Sequence, residues 1–237
     1  MLNGQGLIKN FGGLLAISNA DFHVGQGEIV GLIGPNGAGK TTLFNLISGA
    51  LAPKEGVITF KDQDITGLKP HQICKMGLAR TFQSTKLFAD LTAFENVLLA
   101  ALYGKPKAIS EAEARQEVLE LLDFVELSAQ KKTVAKNLPI ASQKRLEVAR
   151  ALATNPELLM LDEVMAGLNS TDVTQAIELI TKIRAKGITI FMIEHVMKAI
   201  MSVCDRIIVL HYGSKLAEGA PQEIANNPTV IEIYLGE

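Results

Sequence analysis

At 237 residues the chain has room for one large domain with a real core, or for two small ones. With 48% hydrophobic and 20% charged residues it is not a disordered polyelectrolyte. Its 23 basic and 25 acidic residues leave a net charge of −2, so bulk electrostatics give no reason to expect nucleic acid or an anionic membrane surface as a partner.

In chain order, residues 7–9 and 14–24 read as β-strands, with Phe11-Gly12-Gly13 in the turn between them. Residues 29–33 form an apolar run typical of a buried strand, and 43–48 read as a helix stopped by Gly49. Residues 56–60 make a short strand before a polar turn at 61–64. A helix over 70–76 follows, with Pro70 acceptable in its first turn, then a strand over 77–83 that ends in a loop. From Thr92 the pattern becomes helical. Thr92 with Glu95, and Ser110 with Glu113, have capping-box spacing, and the second of these helices runs to about Val125. A third helix is expected over 142–154, ending before Asn155-Pro156. Alternation then resumes with strand 158–161, helix 172–186, strand 188–193, helix 196–203 and strand 206–210. Apolar strands alternating with helices imply a mostly parallel sheet covered on both faces, an α/β fold.

Cys74 and Cys204 lie far apart in no metal-ligand spacing and read as free thiols in a reducing compartment. No basic segment followed by an apolar run opens the sequence, so no signal peptide is expected. No apolar stretch approaches the ~20 residues needed to cross a bilayer.

Between the strand at 29–33 and the following helix stands Gly34-Pro35-Asn36-Gly37-Ala38-Gly39-Lys40-Thr41-Thr42, the phosphate-loop pattern in its proper strand-loop-helix context. Such a loop aims backbone N–H groups and a helix N-terminus at one point, which suits a phosphate. Lys40 reaches toward the β- and γ-phosphates in this pattern, and the Thr41 hydroxyl toward Mg²⁺. About 120 residues on, four apolar residues run into Asp162-Glu163. A carboxylate at that strand end can hold Mg²⁺ through its water shell, and Glu163 can polarise an attacking water.

The order of phosphate loop, Gln83 in a loop, helical insertion, Asp162-Glu163 and His195 after a strand resembles the ATP-binding cassette family over essentially the whole chain. Phe11-Gly12-Gly13, Arg80-Thr81-Phe82-Gln83, Ala166-Gly167-Leu168-Asn169, Ile193-Glu194-His195 and the ending Tyr234-Leu235-Gly236-Glu237 are similar to the ATPase subunits of branched-chain amino acid importers. The resemblance implies a P-loop NTPase core (29–55, 63–86 and 155–237), an N-terminal antiparallel β subdomain (1–28 and 56–62) and an inserted helical subdomain (87–154). It implies ATP and Mg²⁺ as ligands. Phe11 would stack on the adenine and Ala16 would touch the base edge. Asn36, Gly37, Ala38, Gly39, Lys40, Thr41 and Thr42 would cradle the phosphates. Thr41, Gln83 and Asp162 would attend the metal. Glu163, His195, Gln83 and Lys40 would act in hydrolysis, and residues 166–169 would cross to a second ATPase subunit.

One stretch departs from the family pattern. The signature Leu-Ser-Gly-Gly-Gln aligns with Leu138-Pro139-Ile140-Ala141-Ser142. Pro139 brings neither a hydroxyl nor an N–H to a partner's nucleotide, and Ala141 brings a methyl group where glycine allows close approach. The expectation is that this surface, Pro139 and Ala141 included, still binds a partner's ATP but as a weaker trigger; the resemblance implies a different ATPase chain as partner, whose own signature would complete the Lys40 and Glu163 site. Permease subunits would be contacted from about Ser84 to Asn96, through some of Leu87, Phe88, Leu91 and Phe94, the others packing the helical block. A substrate-binding protein would act indirectly, and the chain would sit peripherally on the cytoplasmic face of the membrane. Two alternatives stay open. One is a regulatory cassette with little hydrolysis of its own. The other is a motor for urea, amides or small organic acids instead of amino acids.

Overall fold

The computed structural model describes residues 1–83 and 86–235. Numbered along the chain, β1 (Leu2–Phe11), β2 (Leu14–Val24), β4 (Glu55–Phe60) and β5 (Gln63–Asp64) form an antiparallel sheet in the order β2-β1-β4-β5. The strands β3 (Ile29–Ile33), β6 (Leu78–Arg80), β7 (Leu158–Asp162), β8 (Thr189–Ile193), β9 (Arg206–His211) and β10 (Ser214–Gly219) form a second sheet in the order β10-β9-β3-β8-β7-β6. Every pair in that sheet is parallel except β9 with β10.

The helices are α1 (Lys40–Ile47), α2 (Pro70–Lys75), α3 (Ala93–Tyr103), α4 (Glu111–Phe124), α5 (Ile140–Leu152), α6 (Ser170–Ala185), α7 (Met197–Val203), α8 (Pro221–Ala225) and α9 (Pro228–Leu235). Both expected capping boxes form. Thr92 Oγ1 accepts the Glu95 N–H at 3.2 Å while Glu95 returns an oxygen to the Thr92 N–H at 2.8 Å, and Ser110 with Glu113 repeats the exchange.

The central strands read as unbroken apolar runs because both faces of the sheet are covered. Val30, Leu32, Leu158, Met160, Phe191 and Ile193 face one core, shared with α1 and the antiparallel sheet. There Phe191 packs 5.8 Å from Phe22 and 5.0 Å from Phe44, ring centre to ring centre. Ile29, Ile33, Leu159, Leu161, Ile190 and Met192 face the other core, which runs on through α6 and α7 into the helical block of α3, α4 and α5.

Several expectations need correction. The helix expected from Ser142 starts at Ile140, because the Gln143 N–H already donates to the Pro139 carbonyl at 2.9 Å. The helix expected over 43–48 starts at Lys40, which puts Thr41 and Thr42 on its first turn. Phe11 is the last residue of β1, paired with Leu14, and not part of the turn. The strand expected over 77–83 is only Leu78–Arg80. The edge strand β10 and the short helices α8 and α9 carry no strong periodicity and were not anticipated. Ser84, where the expected permease surface begins, and Gly236-Glu237 of the terminal motif lie outside the described residues.

Register positions the site. Leu32, Asp162 and Ile193 lie in one row across β3, β7 and β8. The phosphate loop, the Asp162-Glu163 step and the Glu194-His195 step therefore leave the sheet together at its carboxyl edge, where ligands of parallel α/β sheets bind.

Candidate functional site

The phosphate loop is fixed from beneath by close backbone approach. Gly34 (φ 153°) and Gly39 (φ 103°) have no room for a side chain: a methyl group would stand 2.1 Å from the Leu210 carbonyl oxygen at Gly34 and 2.6 Å from that of Ala16 at Gly39. Ala16 is thereby brought beside the loop, and Gly39 is the residue from which α1 starts. Ala38 is buried, Asn36 and Gly37 are exposed at the loop's tip, and Thr41 is exposed on the first helical turn with half-buried Thr42 next to it. Lys40 is only 6% exposed. Its Nζ donates to the Gly34 and Pro35 carbonyls at 2.6 and 3.0 Å, which uses two of three ammonium protons. Burial pushes the Lys40 ammonium below its ordinary pKa, opposed by the nearby charges of Glu163 and Asp162.

Asp162 is fully buried at the end of β7. Its Oδ2 meets Arg80 Nη2 at 2.6 Å, and Arg80 Nη1 also reaches Asn45 Oδ1 on α1 at 2.7 Å and Ser48 Oγ at the helix's C-terminal cap at 2.9 Å. The other carboxylate oxygen, Oδ1, is buried without a hydrogen-bond partner among the described residues. A buried acceptor-only oxygen in that state fits a divalent cation or its bound water, so the residues present suit Mg²⁺.

Glu163 follows with a left-handed backbone (φ 51°) that is uncommon for a residue with a side chain. Its N–H donates to the Ile193 carbonyl at 2.9 Å, so the bend leans on β8. Gln83 Nε2 donates to Glu163 Oε2 at 2.8 Å, leaving the Gln83 side-chain oxygen for another ligand. His195 Nε2 meets Glu163 Oε1 at 2.8 Å. The carboxylate is thus gripped at both oxygens, from the strand edges of β6 and β8.

Phe11 stands at the tip of the β1–β2 hairpin, half exposed, with Lys9 Nζ 5.5 Å from its ring centre. Pro139 and Ala141 do not join the cluster by any hydrogen bond among the described residues. Pro139 is exposed and heads α5, and Ala141 is half-buried on its first turn.

Sequence reading missed four residues that shape this site. Arg80 carries no signal of its own within the Arg80-Thr81-Phe82-Gln83 stretch. Lys144 lies buried on α5 with Nζ 3.3 Å from the Gln83 carbonyl and 3.4 Å from that of Glu163. Glu147, also buried, accepts the Phe82 N–H at 3.0 Å, and burial pushes its carboxyl above the ordinary range. Glu194, 2% exposed, accepts the Met165 N–H at 2.8 Å. Burial, with the charge of Glu163 adding to it, raises the Glu194 carboxyl to about 7 against the backbone donors of Met165 and His195. No local signal marks these residues, since each partner is tens of positions away in sequence.

A phosphate loop beneath a buried acid, with a second carboxylate clamped by Gln83 and His195, is a nucleotide-hydrolysis geometry. Residues 17–166 match the family model described as ABC transporter. The chain belongs to the ABC transporter family. It is an ATP-binding cassette, an ATPase, and residues 214–237 match a second model, described as branched-chain amino acid ATP-binding cassette transporter. The cassette is 44% identical to the high-affinity branched-chain amino acid transport ATP-binding protein LivG of Escherichia coli strain K12, over 100% of this chain and 98% of LivG. Among solved structures it is similar to the ADP conformation of MJ1267, an ATP-binding cassette of an ABC transporter (TM-score 0.90, 32% identity, 100% and 99% of the two chains). It is also similar to the dimeric post-hydrolysis state of the cassette MJ0796 bound to ADP and Pi (TM-score 0.85, 28% identity, 93% and 99%). No helix among the described residues is long and apolar enough to cross a membrane.

Proposed function

We propose that this cassette hydrolyses Mg²⁺-ATP to drive a membrane importer of branched-chain amino acids, docked on the permease from the cytoplasmic face. The observation that carries the chemistry is the grip on Glu163, with Gln83 and His195 each 2.8 Å from its carboxylate. Thr41, Asp162 and the Gln83 side-chain oxygen would hold Mg²⁺, which when bound would neutralise charge on the transferred phosphates. The N–H groups of residues 36–42 bind phosphate oxygens at the N-terminus of α1. Lys40 turns its remaining proton to the γ-phosphate. Glu163 takes a proton from the attacking water, and His195 keeps that carboxylate aimed. Phe11 and Ala16 border the base, an aromatic face suiting a flat purine.

The same reading divides the cassette into the antiparallel sheet, the large-sheet core and the helical block. It pairs the cassette with a different ATPase chain, because Pro139 and Ala141 make a second copy of this chain a poor complement for its own Lys40 site. The permease would lie over the segment that ends at Asn96, where Phe88 is half exposed. A cavity of about 400 Å³ beside it is lined by Pro70, Phe82, Lys86, Ala100, Glu147 and Arg150. A substrate-binding protein would present the cargo on the opposite side.

The test is turnover and uptake by the reconstituted transporter carrying Glu163→Gln. Loss of a general base predicts a fall in kcat of about 10²-fold or more, with ATP still bound. If wild type turned over no faster than the variant in any subunit combination, the cassette would be a nucleotide sensor, the alternative that its altered signature leaves open.

A further inference from the structure

Lys9 stands two residues before Phe11 near the end of β1 and is half-buried. Its Nζ lies over the Phe11 ring, 5.5 Å from the ring centre. The same ammonium donates to the Ala52 carbonyl at 2.8 Å, in the turn that follows α1. One residue earlier on the strand, the Ile8 carbonyl accepts the Lys54 N–H at 2.7 Å. The strand that carries Phe11 is therefore laced to that turn at two successive residues, and the ammonium is held in place against the ring. The register of β1 with β2 slips by one residue at the same level, with Lys9 opposite Ile17 and Asn10 opposite Leu15. Ala16 is left as the extra residue, a bulge of the kind that re-aims side chains beside a ligand site.

At an exposed site a cation over an aromatic ring adds little to folding. Phe11 is 47% exposed, so this contact seals no core. What it does is fix the ring. An ammonium is drawn to the negative π-face, so the Lys9 side of Phe11 is taken and the opposite face is the one left for a flat ligand. A ring at a hairpin tip otherwise turns about its side-chain bonds. Holding it before the ligand arrives removes an ordering cost from binding. That gain is the same for the bound ground state and the transition state, so it bears on nucleotide affinity and not on kcat.

We propose that Lys9 is a positioning residue of the base site: pinned by the Ala52 carbonyl, its ammonium holds one face of Phe11 and turns the other to the adenine. This role for Lys9 rests on the reading of Phe11 as the platform for the base. It adds the residue that orients the platform, and with it a preference for nucleotides over bare phosphates that the phosphate loop alone does not supply.

The experiment measures binding of ADP and of pyrophosphate, each with Mg²⁺, to the full chain as wild type, Lys9→Met, Lys9→Arg and Phe11→Ala. Both ligands can fill the phosphate loop, and only ADP carries a base. Lys9→Met keeps the apolar stem and removes the charge. It is expected to weaken ADP binding by about threefold, the size of one exposed cation–π contact, and to leave pyrophosphate binding unchanged. Lys9→Arg, whose planar cation also stacks on a ring, is expected to stay near wild type. In the assembled transporter, Lys9→Met should raise KM for ATP by about the same factor at unchanged kcat. Added to Phe11→Ala, it should weaken ADP binding no further. Unchanged ADP binding in Lys9→Met would overturn the proposal. Equal weakening of ADP and pyrophosphate would overturn it too, since Lys9 would then draw phosphate by its charge alone. So would equal damage by Met and Arg, the mark of a merely structural lysine. Phe11→Ala separates the two ideas. If it weakens ADP binding while Lys9→Met does not, base stacking stands and the role of Lys9 falls. If it leaves ADP binding unchanged, the base does not sit on Phe11 and both fall.

Discussion

The two nucleotide-facing ends of this cassette are built differently. At the cradle the charged groups are held by other parts of the chain: Lys40 by the loop's own carbonyls, and, from far along the sequence, Asp162 by Arg80 and Glu163 by Gln83 and His195. At the signature turn, Ile140 is 61% exposed and Pro139 contributes only a carbonyl to start α5. One end is preorganised for charge, and the other offers a helix terminus with little beyond it. On the proposed function, a chain with one complete and one weakened half-site would serve as half of an asymmetric pair.

The comparison breaks hardest at Arg80. Its ion pair with Asp162 is 5% and 0% exposed on the two sides, and the guanidinium also braces α1. Replacing it in Arg80→Met leaves a buried carboxylate uncompensated, which costs about 3–5 kcal/mol. Chemical unfolding would read this directly, and Asp162→Asn in the same chain is expected to recover part of the loss. A loss below about 1 kcal/mol would mean that the cradle is not braced by this pair.

A second prediction probes the charge packed behind the cradle. The Glu194 carboxyl sits at about 7 when folded, against 4.5 for the free group. Between those values the folded chain keeps a proton that the unfolded chain releases. Its contribution to stability therefore fades as pH rises from 4.5 to 7, by about 3 kcal/mol in all. Glu194→Gln stays neutral and still accepts the Met165 N–H. The variant should melt with wild type near pH 4.5 and above it at pH 8. Parallel melting curves at both pH values would show that Glu194 does not titrate in this range.

What the sequence revealed, and what it hid, follows the same division by distance. The phosphate loop, the capping boxes at Thr92 and Ser110, and the apolar runs of β3, β7 and β8 are local patterns, and all are legible in a few residues. Gln83 and His195 could be singled out only through the family resemblance, because a lone glutamine or histidine carries no pattern. Arg80, Lys144, Glu147 and Glu194 stayed hidden because their partners lie 82, 61, 65 and 29 positions away. The start of α5 was misplaced by reading Ser142 as a helix start, whereas the carbonyl of Pro139 already closes the first turn.

The smallest structural change is the one that sharpens the comparison most. Pro139→Ser with Ala141→Gly restores the family signature at those two positions without touching the cradle. The stability terms offset each other. Serine ahead of Ile140 can cap the helix, worth about 1 kcal/mol, and glycine inside the first turn costs about as much. The melting temperature should therefore stay within about 2 °C of wild type. What changes is the surface offered to a second copy of the chain: a hydroxyl, an N–H and room for a phosphate oxygen. One hydrogen bond to a charged oxygen is worth about 1.5–3 kcal/mol, so turnover by the purified chain alone should rise by about tenfold or more, and rise more steeply with protein concentration than before. Unchanged turnover at unchanged stability would mean that the weak half-site is set by something other than Pro139 and Ala141, and the argument for an obligatory different partner would lose its footing.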